Sequence, residues 1–359
     1  MRIGFGFKVQ DGPWGGGNQF ARNLIEYLRE RGETVLFDLA RGDIELLLLL
    51  EPRGHLPSSA FSDVDVLRYL LFKNSAAVVV HRVNECDERK HTLHMNRLLQ
   101  QANRCADYTV FVSNWLRELH QNHGFVPKRA AVILNGSDGS IFNPQGFAPW
   151  NSGPLKIVTH HWSGNMLKGF DIYKRLDDLL GSQSFRERYS FTFIGNLPHG
   201  FEFKNSTHIS PLFDQELAAK LKQHHLYLTA SRNEPGSNHQ NEAALCGLAL
   251  LFIDSGSLPE YCGGYGISFD ENTFEEKLEE VRENYALYAS RMQSYPHTSQ
   301  RTNAEYYNLF KSALSTRDEV IAGRRLHHEP RSILRAVLPD PRLYEKLKYK
   351  LSEWLHIQR

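Results

Sequence analysis

Apolar residues along this chain arrive in short runs separated by amphipathic stretches, and the alternation occurs twice. In residues 1–142 the runs Arg2–Phe7, Thr34–Phe37, Ile44–Leu50, Ala76–Val80, Tyr108–Val112 and Ala131–Leu134 have strand length. Helical spacing falls between several of them, at Asn18–Glu30, Glu85–Ala102 and Trp115–His120. Near-continuous apolar strands separated by amphipathic helices predict a parallel sheet covered on both faces. The segment Asn143–Pro154 then brings three prolines and two glycines and reads as a linker. Beyond it the alternation restarts, with strands at Lys156–His160, Phe191–Ile194, Leu226–Thr229, Ala249–Ile253 and Gly266–Phe269. The pattern predicts an α/β chain of two Rossmann-like units, over 1–145 and 146–300, facing each other across a cleft. Residues 301–359 read as C-terminal helices, of which Asn303–Leu314 is amphipathic and suited to return to the first unit.

Composition narrows the function classes. The 359 residues carry 42 Lys+Arg against 41 Asp+Glu, so there is no global nucleic-acid footprint. The cysteines Cys86, Cys105, Cys246 and Cys262 are far apart, which argues against a zinc site or a disulfide scaffold. The start, Met1 to Phe7, is too short and too glycine-rich for a secretory apolar region, and the longest apolar run, Ile44–Leu50, is strand length. The expectation is a cytoplasmic protein.

Candidate chemistry sits where strands end. After the strand that closes at Thr229, Glu234-Pro-Gly-Ser-Asn-His-Gln-Asn-Glu242 places two carboxylates around a turn that opens a helix. Free N–H groups at a helix start favour an anionic or hydroxyl-rich ligand, and a strand exit faces the crevice of a doubly wound sheet. The structural alternative is that Glu242 caps the helix and Glu234 is solvated. After the first strand, Gly15-Gly-Gly-Asn18 precedes a helix and lets backbone approach a phosphate closely. It is neither a dinucleotide fingerprint, since Val9 stands where the third glycine belongs, nor a phosphate loop of the Gly-Lys-Ser/Thr kind. The fourth strand runs into His81–Lys90, where eight of ten residues are polar, so His81, Asn84, Glu85 and Asp87 are candidate substrate contacts. Helix-dipole preference alone would explain the acids there but not His81 or Arg82. In the second unit, His160-His-Trp-Ser163 leads to Lys168-Gly169, a suitable phosphate contact.

These marks occur in the order found in a known family. Gly16-Gly17, Asn135-Gly-Ser-Asp138 with Phe142-Asn-Pro144, Lys168-Gly169, Glu234 and Glu242 spaced as Glu-x7-Glu, and Pro259-Glu260 together span most of residues 1–270. In this the chain resembles the retaining, nucleotide-sugar-dependent glycosyltransferases of the GT-B fold, family-4 type. The resemblance implies transfer of a sugar from a nucleotide-diphosphate sugar, a UDP- or GDP-sugar, to a glycan or lipid-linked acceptor in cell-surface polysaccharide, lipopolysaccharide or glycolipid synthesis.

It further implies that Glu234 contacts the donor sugar and Glu242 the ribose. Gly236, Ser237, Asn238 and His239 would line the sugar and phosphate pocket, and Gly16, Gly17, Asn18, Ser163 and Lys168 would hold the diphosphate. His81 would stand near the reacting carbon as a second catalytic residue, with Asn84, Glu85, Asp87 and His161 as acceptor or sugar contacts. No metal and no cofactor is expected, because cations and N–H donors stabilise the leaving diphosphate directly. One departure is visible. The arginine that the family carries about six residues before the lysine is absent, its place being taken by Trp162-Ser163, and His160 or His161 would partly substitute. Two other readings share the architecture, a nucleotide-sugar epimerase and a non-catalytic nucleotide-sugar-binding subunit; the Glu234 and Glu242 pair favours the transferase.

The C-terminal segment Gly323–Arg359 holds nine Lys+Arg against four Asp+Glu, with leucines at 343, 347, 351 and 355. A helix packed on the first unit explains that stripe; the functional alternative is weak peripheral docking to an anionic membrane face.

Overall fold

The computed structural model describes residues 1–10, 15–324 and 330–337. Two six-stranded, all-parallel sheets form its frame. The first contains β1 (Arg2–Phe5), β2 (Thr34–Leu36), β3 (Leu46–Leu49), β4 (Val78–Val83), β5 (Tyr108–Phe111) and β6 (Ala130–Val132), in the order β2-β1-β3-β4-β5-β6. The second contains β7 (Leu155–His161), β8 (Tyr189–Gly195), β9 (Thr207–Ile209), β10 (Leu226–Thr229), β11 (Ala249–Ile253) and β12 (Ile267–Phe269), ordered β12-β11-β10-β7-β8-β9. The chain reverses its direction of travel across the sheet between β1 and β3 in the first unit, and between β7 and β10 in the second. Crevices for ligands lie outside the strand ends at such reversals.

The leucine run of β3 illustrates why these strands form. Leu46 and Leu48 join one apolar layer with Leu24, Leu28, Tyr306 and Phe310. Leu47 and Leu49 join the opposite layer with Val66 and Leu70. Side chains alternate faces with period two, so a strand covered on both sides must be apolar throughout. The second sheet has its own large core, including Phe170, Tyr173, Phe193, Tyr227 and Leu251.

The helix Ser299–Ser315 returns to the first unit. Tyr306 lies 5.0 Å from Phe20 between ring centroids, and the Thr302 hydroxyl donates to the Leu134 carbonyl at 2.8 Å. The helix Pro330–Val337 places Ala336 in the layer formed by Val66 and Leu70. The leucine stripe from 343 to 355 lies outside the described residues.

The structure departs from the hydrophobic pattern in three places. A short edge strand, β9, lies in a segment with no apolar run. The single helix expected over Glu85–Ala102 is two, Asp87–Lys90 and Met95–Ala102, broken at His91 with φ of 51°. Finally, β4 continues through His81 and Arg82 to Val83, three residues beyond the apolar run.

Candidate functional site

The backbone fixes Glu234 before its side chain makes any contact. β10 ends at Thr229, and Asn233 adopts a φ of 53°, a left-handed conformation that non-glycine residues rarely take. Its N–H donates to the Ser255 hydroxyl at 3.0 Å. The Glu234 carboxylate, 4% exposed, accepts from the Ser231 hydroxyl at 2.6 Å and from Lys168 Nζ at 2.5 Å. Arg89 Nε, from the opposite unit, stands 3.2 Å from the same oxygen. Burial by itself would raise the carboxyl's pKa, but the Lys168 and Arg89 cations outweigh it and hold it far below the carboxylate range. Glu234 is therefore ionised.

Lys168 reaches Glu234 because of the glycine behind it. The turn Met166–Lys168 ends in Gly169 at φ of 93°, where a Cβ would come within 2.4 Å of Ala230. Only glycine permits both the dihedral and that approach. Burial draws the Lys168 ammonium below its usual pKa, and Glu234 draws it back up in part.

Glu242, in the first turn of the helix His239–Leu245, is 5% exposed and sits 2.7 Å from His160 Nε2. His161, on the same strand end, bonds the Tyr173 hydroxyl at 2.8 Å, and burial followed by its neighbour His239 keeps it far below the usual imidazole pKa. His239 is also neutral, through burial and then Lys168. Its ring meets His161 edge-on at 4.7 Å, and among the described residues both its nitrogens lack a hydrogen-bond partner. Ser237 is tied into the turn by Gln240 at 2.8 Å.

Across the cleft, the helix Gly16–Glu30 starts directly opposite this turn: a Cβ on Gly16 would lie 3.1 Å from the Asn238 amide nitrogen. Gly16, Gly17, Asn84, Glu85, Arg89, His161, Ser163, Lys168, Glu234, Gly236 to His239 and Glu242 all line one cleft of about 460 Å³. A smaller hollow of about 210 Å³ in the first unit shares Gly15 to Gly17, Asn84 and Glu85 as a wall. There Arg53 grips Glu51 through two nitrogens at 2.6 Å and approaches Glu85 at 3.2 Å.

The Glu234 turn is also bolted to the first unit. Asn135 Nδ2 donates to the Gly236 carbonyl at 2.6 Å, and the Ser113 hydroxyl donates to the Pro235 carbonyl at 2.6 Å. The Tyr261 hydroxyl donates to the Val112 carbonyl at 2.7 Å. Glu260 accepts the N–H groups of Asn114 and Trp115 at 2.8 and 2.6 Å, at the start of the helix Asn114–Asn122.

Three residues expected in the cleft stand elsewhere. His81 is wholly buried inside β4, its Nδ1 2.9 Å from the Asn103 side chain, and burial pushes its pKa down to about 4. It misses the cleft because successive strand residues point to opposite faces: His81 turns to Asn103, whereas Arg82, the next residue, lines the cleft. Asp87 accepts the N–H groups of His94, Met95 and Asn96 at 2.8 to 3.0 Å and starts the next helix. Asn18 holds the Gln10 backbone at 2.8 and 2.9 Å, which steadies the glycine turn from behind and lines the smaller hollow. Conversely, Arg89 was not an expected site residue; in sequence it reads as the basic end of a helix, a common dipole preference. Among the described residues no group of three or more His, Cys, Asp or Glu could hold a metal ion, and no helix is long and apolar enough to cross a membrane.

No protein-family model matches this chain, and no curated protein matches it by sequence. Solved structures do match its fold. Anabaena HepE in complex with UDP aligns with a TM-score of 0.65 at 13% identity, covering 87% of this chain and 99% of that one. Sucrose-phosphate synthase from Thermosynechococcus elongatus gives 0.61 at 12% identity over 88% and 99%. The catalytic domain of starch synthase IV from Arabidopsis thaliana, bound to ADP and acarbose, gives 0.57 at 15% over 84% and 79%. The fold is that of the GT-B glycosyltransferases, two Rossmann-like sheets facing each other across a cleft.

Proposed function

We propose that this chain is a retaining glycosyltransferase of the family-4 type that moves a sugar from a nucleotide-diphosphate sugar to a hydroxyl-bearing acceptor. The observation that carries this reading is the convergence of Gly16, Lys168, Glu234 and Glu242, from three strand exits on two sheets, on one cleft. Glu242 would accept the ribose hydroxyls, with His160 fixing its orientation. The Gly236 to His239 turn and Gly16 to Gly17 would approach the diphosphate from opposite sides, and Lys168 would supply positive charge as the diphosphate leaves. Uridine is the favoured base, since HepE is described with UDP, with UDP and glucose, and with UDP-glucose.

The carboxylate of Glu234 already accepts from Ser231 and Lys168 and faces Arg89, so it is a weak base and a poor nucleophile. That favours an orienting role toward the donor sugar and attack by the acceptor from the face the diphosphate leaves, the departing phosphate oxygen taking the acceptor's proton. The hollow containing Glu51, Arg53, Ser58 and Glu85 adjoins the cleft and suits a hydroxyl-rich acceptor, the end of a glycan or of a lipid-linked saccharide in cell-surface synthesis at the cytoplasmic side of a membrane.

A thermal-shift panel of UDP-, GDP- and ADP-sugars tests the donor. A ligand present at a hundred times its dissociation constant adds about 2.7 kcal/mol of stability. One nucleotide class should raise the melting temperature in both its free diphosphate and its sugar forms. A panel in which no nucleotide sugar shifts the transition would end the reading.

A further inference from the structure

Two buried cations of the cleft share one carboxylate. Lys168 and Arg89 both face the single carboxylate of Glu234, while Glu242 is engaged by His160. Lys90, on the same wall, is paired with Glu85. Arg89 is the odd member. It comes from the first unit, on the helix Asp87–Lys90, yet meets Glu234 of the second unit through Nε. Its residue is 8% exposed, and among the described residues its buried Nη1 has no hydrogen-bond partner. A guanidinium presents its donors in a rigid fork that fits two oxygens of a phosphate. A buried donor left unmatched is costly, and an oxyanion in the cleft would satisfy it. His239, whose two buried nitrogens also lack partners, lines the same cleft from the other unit.

We propose that Arg89 is a donor-diphosphate clamp: Nη1 takes a phosphate oxygen while Nε stays beside Glu234, so the diphosphate is held between Arg89 on one unit and Lys168 with His239 on the other. This rests on the nucleotide-sugar reading and adds to it a residue from the acceptor-side unit. It makes the phosphates, and not the nucleoside, the part of the donor that ties the two units together.

The test is calorimetric titration of the full chain with UDP, UMP and uridine, with the guanine series in parallel, for wild type, Arg89→Gln and Arg89→Lys. Arg89→Gln should weaken UDP binding at least about tenfold, as expected for loss of one charge-assisted contact, weaken UMP less, and leave uridine unchanged. The salt dependence of UDP binding should become shallower. Arg89→Lys keeps the charge without the fork, so it should fall between the two and also guards against a Gln variant that fails to fold. Wild-type UDP affinity in both variants, or an equal loss for UDP and uridine, would overturn the clamp and leave Arg89 a structural partner of Glu234. A wild-type protein that binds no nucleoside diphosphate of either series would instead overturn the donor reading beneath it.

Discussion

The exits of β4 and β10 carry similar residue types and behave differently. After β10, polarity begins where the strand ends, the chain turns sharply at Asn233, and Glu234 enters the cleft. After β4, polarity begins while the strand is still running. His81 and Arg82 are buried within it, the first bonded to Asn103 and the second to Asn135 at 2.9 Å with its guanidinium 4.1 Å above the Phe20 ring. A polar residue can stay inside a buried strand when partners within the fold satisfy it. Partners contributed by distant segments kept β4 going, and past its end Asn84, Glu85 and Arg89 line the cleft.

Substitutions on the two exits should therefore separate cleanly. Glu234→Gln is expected to have the largest effect, lowering kcat by about 10² to 10³, the range for losing one group that acts at the reacting centre. Affinity for the free diphosphate should not fall, because the change removes a negative charge from between two cations. Steady-state kinetics beside nucleotide titration would show both. A sugar adduct trapped on Glu234 would overturn the orienting role outright.

On the β4 side, His81→Gln should alter stability and not turnover. The His81 pKa is depressed to about 4 in the fold, from an ordinary 6.5. Its contribution to stability is thus fully present above pH 6.5 and is lost as pH falls from there toward 4. That amounts to about 3 kcal/mol across the window. Denaturant titrations at several pH values should show a shallower loss in the variant, with kcat near neutrality unchanged. A large fall in kcat at pH 7.5 would return His81 to the reacting centre.

Glu242→Gln should come next, weakening nucleotide diphosphate and nucleotide sugar together by about 1.5–3 kcal/mol, the scale of a hydrogen bond to a charged group. Turnover at saturating donor should be nearly preserved. Loss of kcat without loss of affinity would mean that the two glutamates have been given each other's tasks.

The smallest effect concerns the bolt between the units. Glu260→Ala removes the acceptor for two N–H groups at the start of Asn114–Asn122, where the Ser113 hydroxyl still accepts from Leu116. A loss of about 1 kcal/mol is expected, as for a helix cap. Faster amide exchange at Asn114 and Trp115 would report it locally.

Much of the frame was legible because parallel strands covered on both faces must be apolar throughout, and helices between them must be amphipathic. Leu226–Thr229 and Ala249–Ile253 coincide with β10 and β11 for that reason. The edge strand β9 was not legible: Thr207 and His208 are exposed and Ile209 half-buried, so little apolar signal is required of it. The break at His91 was hidden because Asp87, which starts the second helix, looks in sequence like an ordinary first-turn acid.

At the site, sequence alone picked out the second-unit residues that the fold brings to one cleft. The turn from Glu234 to Glu242 and the Lys168-Gly169 pair are local constructions, in which a strand, a tight turn and a helix start follow from a few adjacent residues. What only the tertiary structure decided is the company those residues keep. Arg89 is adjacent to Glu234 because two sheets face each other, and Glu242 is oriented by His160 because β7 lies beside β10. His81 is withdrawn into the sheet because Asn103, 22 residues away, offers it a hydrogen bond. Periodicity records which face of an element is buried; it holds no record of which distant polar group will meet a side chain there, and that meeting sets the charge and accessibility on which the chemistry depends.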